Sequence, residues 1–233
     1  MTGWTPNPAY WTGTAPRERH RITTSVTELS HLAIAYAVLV LDILLIEGFI
    51  QFSNGPGTLE VPRFEAGLAF SLTAAFTGFI AHEMAHKISA QRYGFWAEFR
   101  MSPVGLLVSL ATAFVGFLFA APGATIVGGM GDVREWGRTS LAGPALNLVE
   151  GAAFFAAGVG TWSVFHSVGL WSVLLLLAFI NGWFAAFNLI PFGPLDGAKV
   201  WRWRRDLWVV CFVVALLFAV GAFAVATFGA PPL

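Results

Sequence analysis

The feature that most constrains this chain is a series of apolar stretches, each long enough to form a membrane-spanning helix. A helix needs about 20 apolar residues to cross the roughly 30 Å of hydrocarbon in a bilayer. The approximate bounds of the clearest stretches are 29–52, 64–93, 138–162, 168–189 and 207–227. A further apolar stretch, 101–130, has no charged residue but is interrupted by two prolines and several glycines. The sequence therefore predicts an all-α polytopic membrane protein.

The composition agrees with this interpretation and excludes other classes of protein. Of the 233 residues, 57% are hydrophobic and only 11% are charged, whereas about 25% of the residues of a typical soluble domain are charged. This composition indicates the lipid bilayer as the surrounding medium, and because the formal net charge is zero, we expect no nucleic acid as a partner. The single cysteine, Cys211, permits neither a disulfide within the chain nor a cysteine-based metal cluster.

The chain divides into two parts. Residues 1–28 are polar and include three arginines, and we expect them to form a cytoplasmic N-terminal segment. The apolar stretch that follows is too long for a signal peptide and lacks a small-residue cleavage site, so it is interpreted as an uncleaved first span. Residues 29–230 are expected to form a single transmembrane domain, because the intervening loops leave no room for a separate soluble domain.

A metal-binding motif lies near the end of the second apolar stretch. Residues 82–86 read His-Glu-Met-Ala-His, which is an H-E-x-x-H pattern on a predicted helix. The four-residue spacing places His82 and His86 on one face, where both imidazoles can bind a tetrahedral zinc ion. Glu83 is rotated by about 100° from His82, so its carboxylate can act as general base on a water molecule at the metal. Three ionisable side chains in a membrane helix are costly, which favours a functional role.

A catalytic zinc site needs a third protein ligand and keeps a fourth position for water. The acidic candidates in or beside the apolar stretches are Asp42, Glu47, Glu150 and Asp196. Asp196 is the best placed, because the prolines and the glycine in 191–194 can unwind the chain and turn this carboxylate inward. Glu150 stays open as the alternative, because other H-E-x-x-H enzymes complete their site with a glutamate from a separate helix.

Three motifs in this order resemble those of the site-2 protease family of intramembrane zinc metalloproteases. The first is His82 to His86, the second is Gly-Pro-Ala-Leu-Asn at 143–147, and the third is Asn-Leu-Ile-Pro-Phe-Gly-Pro-Leu-Asp-Gly at 188–197. The resemblance implies that His82, His86 and Asp196 bind one Zn²⁺ and that Glu83 is the catalytic carboxylate. It also suggests Asn188 as a catalytic group near the substrate or the oxyanion. Residues 29–230 would then form a single transmembrane metalloprotease domain.

The number of membrane crossings decides whether Asp196 can reach the histidines. Three crossings between residues 92 and 190 would place Asp196 on the opposite side, so one of the three apolar stretches must enter and return. We predict that 101–130 does so, as a re-entrant hairpin rich in Gly and Pro, which leaves five transmembrane helices with the zinc site buried in the bundle. Twelve basic residues then fall on one side, which the positive-inside tendency marks as cytoplasmic. They are Arg17, Arg19, Arg21, Lys87, Arg92, Arg100, Arg134, Arg138, Lys199, Arg202, Arg204 and Arg205.

The sequence thus predicts an intramembrane zinc endopeptidase in the cell membrane, with its active site toward the cytoplasmic side. Its expected substrate is a transmembrane protein or peptide, cleaved in or near a membrane-spanning segment. One alternative is a membrane metalloprotease with a glutamate as third ligand that cuts soluble or lipidated peptides. Another is a non-catalytic metal-binding membrane protein, which the intact Glu83 disfavours. The sequence does not predict an oligomeric state.

Overall fold

The computed structural model describes residues 22–53, 61–119 and 122–224. Within these residues, five helices are long and apolar enough to cross a membrane: Val26–Gly48, Phe64–Arg92, Val133–Phe165, Val168–Asn188 and Arg205–Ala222. The predicted all-α architecture with five spans is therefore confirmed, and the chain is a multi-pass membrane protein. Residues 1–21 of the predicted N-terminal segment and residues 225–230 of the predicted domain lie outside the described residues.

The helices and strands are described here in chain order. They are α1 (Val26–Ser53), α2 (Val61–Ala75), a first π-helical turn (Phe76–Ala81), α3 (His82–Arg92), β1 (Trp96–Met101), α4 (Pro103–Ala113), β2 (Gly123–Gly128), α5 (Val133–Phe165), α6 (Val168–Asn188), α7 (Asp196–Trp203), α8 (Arg205–Leu217) and a second π-helical turn (Phe218–Ala222). The second span is continuous through α2, the first π-helical turn and α3. The fifth span consists of α8 and the second π-helical turn.

The third span, α5, begins five residues before its predicted start because its N-terminus is capped. The Asp132 side chain accepts a hydrogen bond from the Glu135 backbone N–H at 2.7 Å, and the Glu135 side chain accepts one from the Asp132 N–H at 3.1 Å. This reciprocal capping satisfies two donors that a helix start leaves free. The cap extends α5 beyond the apolar residues from which the span was predicted.

The stretch 101–130 enters the bundle and returns at the same end, as the re-entrant prediction requires. Its only described helix, α4, has 11 residues and is about 16 Å long, roughly half the thickness of the hydrocarbon core. Strands β1 and β2 flank α4 and pair antiparallel, from Trp96 opposite Gly128 to Met101 opposite Gly123. This two-stranded sheet was not predicted, because each strand has only six residues and its partner lies on the other side of α4 in the sequence.

A buried ion pair ties the start of α1 to α3. The Lys87 ammonium contacts the Glu28 carboxylate, and the side chains are 1% and 0% exposed. Lys87 also donates to the Thr24 hydroxyl at 2.8 Å. Lys87 was counted above among the twelve basic residues of the cytoplasmic side, but its charge is neutralised inside the protein by Glu28. The charge bias therefore depends on the other basic residues.

The helix pair α5 and α6 forms the largest contact in the bundle. Small residues allow the two helices to approach: a side chain added at Gly151 would lie 3.4 Å from the Ala178 carbonyl oxygen. Such small-residue contacts are typical of helices packed in membranes. Large apolar side chains remain exposed on the outer faces, for example Val149 on α5 and Val210 on α8, where lipid would cover them.

Candidate metal centre and active site

The two histidines of the H-E-x-x-H motif lie at the start of α3, directly after the first π-helical turn. Their side chains project from one face of the helix, and the Nε2 atoms of His82 and His86 are 3.0 Å apart. Both side chains are buried. The spacing in the sequence thus produces the expected pair of adjacent imidazoles inside the bundle.

Asp196 joins the histidines from the first residue of α7. Its Oδ2 atom lies 2.9 Å from His86 Nε2 and 3.6 Å from His82 Nε2. The loop after α6 can reach this position because Gly197 packs against the backbone of residues 189 and 190, where a Cβ would lie only 2.6 Å from the Ile190 carbonyl oxygen. Among the described residues, His82, His86 and Asp196 form the one group of three ligand-bearing side chains close enough to hold a metal ion.

Hydrogen bonds on the far side of each ring prepare both histidines to bind a metal. His82 Nδ1 contacts the Asn147 side-chain oxygen, and His86 Nδ1 is 2.7 Å from the Thr139 carbonyl oxygen. Both partners are acceptors, so a neutral ring carries its hydrogen on Nδ1 and presents the Nε2 lone pair to the site. Outer partners of this kind are usual for metal-binding histidines.

Space for an ion is preserved by Gly143 on α5. A Cβ at this position would lie 2.6 Å from His82 Nε2 and still closer to His86 Nε2, and so would fill the space between the ligand atoms. The only residue type without a Cβ is therefore found beside the three ligand-bearing side chains. The donor set of two imidazoles and one carboxylate suits zinc with an open fourth position.

The electrostatics of Asp196 favour its binding to a cation. Burial raises the pKa of the Asp196 carboxyl, but the charge of a protonated His86 and hydrogen bonds from protonated His82 and His86 lower it by more, so this pKa lies well below its usual range. The group is therefore a carboxylate, the form that binds metal ions.

Glu83 lies beside the metal group and is held by strand β2. Its Oε2 atom accepts hydrogen bonds from the backbone N–H of Thr125 at 2.8 Å and from the Thr125 hydroxyl at 2.7 Å. Its side chain is 8% exposed and lines the same cavity as His82, His86 and Asp196. This is the arrangement expected for a general base that does not itself bind the metal.

The cavity at this centre has a volume of about 370 Å³. Its wall includes residues of β2, the metal group and Asn188 at the end of α6. One N–H of the Asn188 side-chain amide donates to the Phe184 carbonyl oxygen at 3.0 Å. Asn188 is therefore brought to the cavity, with its amide anchored on its own helix.

The other acidic candidates lie elsewhere. Glu150, on α5, is not part of the group of metal-binding atoms, although it follows Asn147 by one helical turn. Asp42 and Glu47 lie on α1, and Glu47 accepts a hydrogen bond from the Ser71 hydroxyl at 3.5 Å. The structure thus brings Asp196, and not Glu150, to the histidines.

Three residues near the centre were not identified from the sequence: Thr125, Thr139 and Asn181. Asn181 is fully buried on α6 and accepts a hydrogen bond from the Asn147 amide at 3.0 Å. Its own amide donates to the Thr77 hydroxyl at 3.1 Å and to the Leu177 carbonyl oxygen at 3.0 Å. A polar residue in the middle of an apolar span was the available signal for Asn181. Thr125 and Thr139 had no comparable signal.

Curated proteins similar to this chain are zinc metalloproteases by name. This chain is 36% identical over 143 residues to "Putative zinc metalloprotease MJ0611" of Methanocaldococcus jannaschii. The match covers 60% of this chain and 73% of that protein. It is 35% identical over 149 residues to "Putative zinc metalloprotease Rip3" of Mycobacterium tuberculosis, which covers 60% of this chain but only 32% of that longer protein. No protein-family model and no solved structure matches the chain. These relatives, with the geometry of the metal centre, lead to one conclusion: the chain belongs to the site-2 protease family of zinc metalloproteases.

Proposed function

We propose that this metalloprotease is an intramembrane endopeptidase, which hydrolyses peptide bonds in or near the transmembrane segments of other membrane proteins. One observation carries the proposal: a metal group, a general base and a cavity of about 370 Å³ meet inside a bundle of spanning helices. A site in this position can receive a substrate from the bilayer. Such cleavage would serve regulated intramembrane proteolysis.

In this proposal His82, His86 and Asp196 hold the zinc ion. Their ligand atoms all lie within 4.8 Å of one another, which suits coordination of a single ion. Bound zinc supplies Lewis-acid chemistry, polarising the scissile carbonyl and lowering the pKa of water toward about 7. Hydrogen bonds from the rings to Asn147 and the Thr139 carbonyl keep both Nε2 atoms directed at the site.

Glu83 moves the proton in the proposed reaction. It takes a proton from the attacking water as the new C–O bond forms, and it returns that proton to the nitrogen of the departing amine as the C–N bond breaks. Asn188 would donate its second amide N–H to the carbonyl oxygen as negative charge develops there. Its first N–H is already engaged by the Phe184 carbonyl, which would limit rotation of the amide.

A substrate helix must unwind locally, because a closed helix uses its own carbonyl groups in hydrogen bonds. Strand β2 supports this step, since it forms one wall of the cavity and, within the described residues, its second edge is not paired with another strand; at that edge the Thr125 N–H is bound by Glu83. Addition of an extended segment to such an edge is a general mode of peptide binding. The proposed substrate is therefore a transmembrane segment that can adopt an extended form near the site.

The proposed orientation places the metal centre toward the cytoplasm. With five spans, Arg92, Arg134, Arg138 and the basic residues in 199–205 fall at the same end of the bundle as Asp196, and the positive-inside tendency favours the cytoplasm for that end. Cys211→Ser would provide a cysteine-free background for Arg134→Cys and Arg202→Cys. We expect membrane-impermeant thiol reagents to label these positions only from the cytoplasmic side. Labelling only from outside would contradict the orientation.

The main experiment compares wild type with Glu83→Gln and Asp196→Ala in proteoliposomes. Each protein would be reconstituted with a panel of single-span membrane proteins, and cleaved bonds would be identified by mass spectrometry. Wild type should bind about one zinc per chain and cleave within or beside the spans. Glu83→Gln should keep its zinc and lose cleavage, and Asp196→Ala should lose both.

Three outcomes would contradict parts of the proposal. Cleavage by Glu83→Gln would remove the general base from its role, and full zinc retention by Asp196→Ala would return Glu150 to consideration as the third ligand. Cleavage of soluble peptides alone, with no panel protein cut, would favour a membrane metalloprotease that does not act inside the bilayer.

A further inference from the structure

Thr125 lies in the middle of β2 and contacts Glu83 through both its backbone and its side chain. Its N–H and its hydroxyl converge on Oε2 of Glu83, at 2.8 Å and 2.7 Å. The hydroxyl is also 3.2 Å from the Glu83 carbonyl oxygen. One residue thus supplies two donors to a single carboxylate oxygen, which leaves Oε1 as the oxygen that can exchange a proton.

The register of the sheet explains why the Thr125 N–H points to Glu83. Thr125 is paired with Phe99, and opposite residues in an antiparallel sheet alternate between pairs bonded to each other and pairs whose N–H groups point outward. The Phe99 N–H points outward and donates to Glu28 at 3.1 Å. The Thr125 N–H also points outward, at the opposite edge of the sheet, and donates to Glu83. A carboxylate therefore binds each edge at the same cross-strand pair, and this fixes β2 relative to α3.

We propose that Thr125 is a positioning residue for proteolysis, which holds Glu83 in the conformation that accepts the proton. The proposal rests on the proposed role of Glu83 as general base. Two hydrogen bonds to Oε2 restrict rotation of the carboxylate, and displacement of a catalytic group by about 1 Å can cost about 100-fold in rate. Because β2 also lines the cavity, the strand that positions the base is the strand beside which the substrate would lie.

The kinetic test compares Thr125→Val with Thr125→Ser. Valine keeps the shape of threonine and the backbone N–H but removes the hydroxyl, whereas serine keeps the hydroxyl. We expect kcat of Thr125→Val to fall about 10- to 100-fold, with KM and zinc content close to wild type. Thr125→Ser should stay within about threefold of wild type, because serine keeps the hydroxyl that donates to Glu83 Oε2.

Two kinetic results would overturn the proposal. The first is a wild-type kcat in Thr125→Val, and the second is an equal loss in the serine and valine variants, which would indicate packing instead of hydrogen bonding. Neither result would contradict the proposed function, which is tested by the Glu83→Gln variant and by cleavage of the panel of membrane proteins. The two proposals can therefore be rejected separately.

Amide hydrogen exchange tests the same contact without measuring activity. In the zinc-loaded protein, Glu83→Ala removes the acceptor of the Thr125 N–H, so exchange at this amide should rise at least about tenfold, because it loses its hydrogen bond. The amide of Ile126, which faces β1 by the alternation described above, is the internal control and should change little. An unchanged rate at Thr125 would overturn the proposal, even if the valine variant failed to fold.

Discussion

The two histidines of the candidate metal centre are supported in different ways. His82 is oriented by a side chain, the Asn147 amide, which is itself held by Asn181 and by the carbonyl oxygens of Thr77 and Gly78. His86 is oriented by a backbone carbonyl, that of Thr139. A side-chain partner disappears on substitution, whereas a backbone carbonyl remains. The orientation of His82 therefore depends on the identity of residue 147, whereas that of His86 depends on the position of the α5 backbone.

The chain of hydrogen bonds behind His82 has a defined direction. Backbone carbonyl oxygens only accept, so the nitrogen of the Asn147 amide must face Thr77 and Gly78, at 3.3 Å and 3.1 Å. The Asn147 oxygen then faces His82 and requires a hydrogen on Nδ1. The protonated nitrogen of His82 is thus selected by groups on α5, α6 and the first π-helical turn, and the following predictions test this asymmetry.

The largest effect is expected from Gly143→Ala, which should affect both histidines. The new methyl group would occupy the space beside both Nε2 atoms, and the rings cannot withdraw without losing their Nδ1 hydrogen bonds. We expect zinc content to fall to near zero, measured by metal analysis of the purified protein. Gly160→Ala on the same helix is the matched control, since a Cβ there meets no atom within 4 Å. Normal zinc content in Gly143→Ala would contradict this reading of the site.

A smaller effect is expected from Asn147→Leu, which breaks the support of His82 alone. Loss of an outer partner typically lowers metal affinity by 10- to 100-fold. The zinc Kd, measured by competition with a chelator, should rise by about this factor, and kcat at saturating zinc should fall less. An unchanged Kd would show that the Asn147 contact does not orient the ring.

Asn181→Leu should weaken zinc binding by less than Asn147→Leu does. Asn181 contacts His82 only indirectly, through its hydrogen bond with Asn147. The substitution removes the oxygen that accepts from Asn147 but leaves the Thr77 and Gly78 carbonyls in place. Hydrogen bonds between membrane helices average about 0.6 kcal/mol, which corresponds to about a threefold change in Kd. In the double variant with Asn147→Leu, the two effects should not add. Full additivity in the chelator titration would mean that Asn181 acts independently of Asn147.

Thr139→Val should have the smallest effect on the metal, although Thr139 contacts a metal-site histidine. The contact uses the backbone carbonyl, and within the described part of the chain the buried Thr139 hydroxyl oxygen has no hydrogen-bond partner. Removing this hydroxyl should leave the zinc Kd within about twofold of wild type and raise stability by up to about 1 kcal/mol. Thermal unfolding in detergent measures the second effect. A loss of affinity as large as that of Asn147→Leu would remove the contrast between the histidines.

Much of the fold could be predicted from the sequence, because membrane insertion depends on local composition. The five spans follow from apolar length alone, and the re-entrant stretch 101–130 follows from the requirement that Asp196 and His82 meet. The pairing of β1 with β2 could not be predicted in this way. Their hydrogen bonds join residues more than 20 positions apart, and the sequence of each short strand alone gives no indication of register.

In the candidate site, too, the residues defined by local sequence could be predicted, and those defined by contacts between elements could not. His82, Glu83 and His86 follow from spacing within one helix, and the helix break at 191–194 marks Asp196. Thr125 and Thr139 were not identified because isolated threonines are common, and the role of Asn181 was missed because its partners lie on other elements. Their contribution depends on where a single donor or acceptor points, and the sequence does not specify this.

The sequence by itself determined that this protein spans a membrane and carries the chemical groups of a zinc metalloprotease. Both properties are local: burial in lipid depends on about 20 consecutive residues, and a pair of metal-binding histidines depends on one helical turn. Only the tertiary structure decided which acidic group joins them, which atoms orient their rings and which strand holds Glu83. These choices depend on distances of about 3 Å between distant parts of the chain, because hydrogen bonds form only at that range.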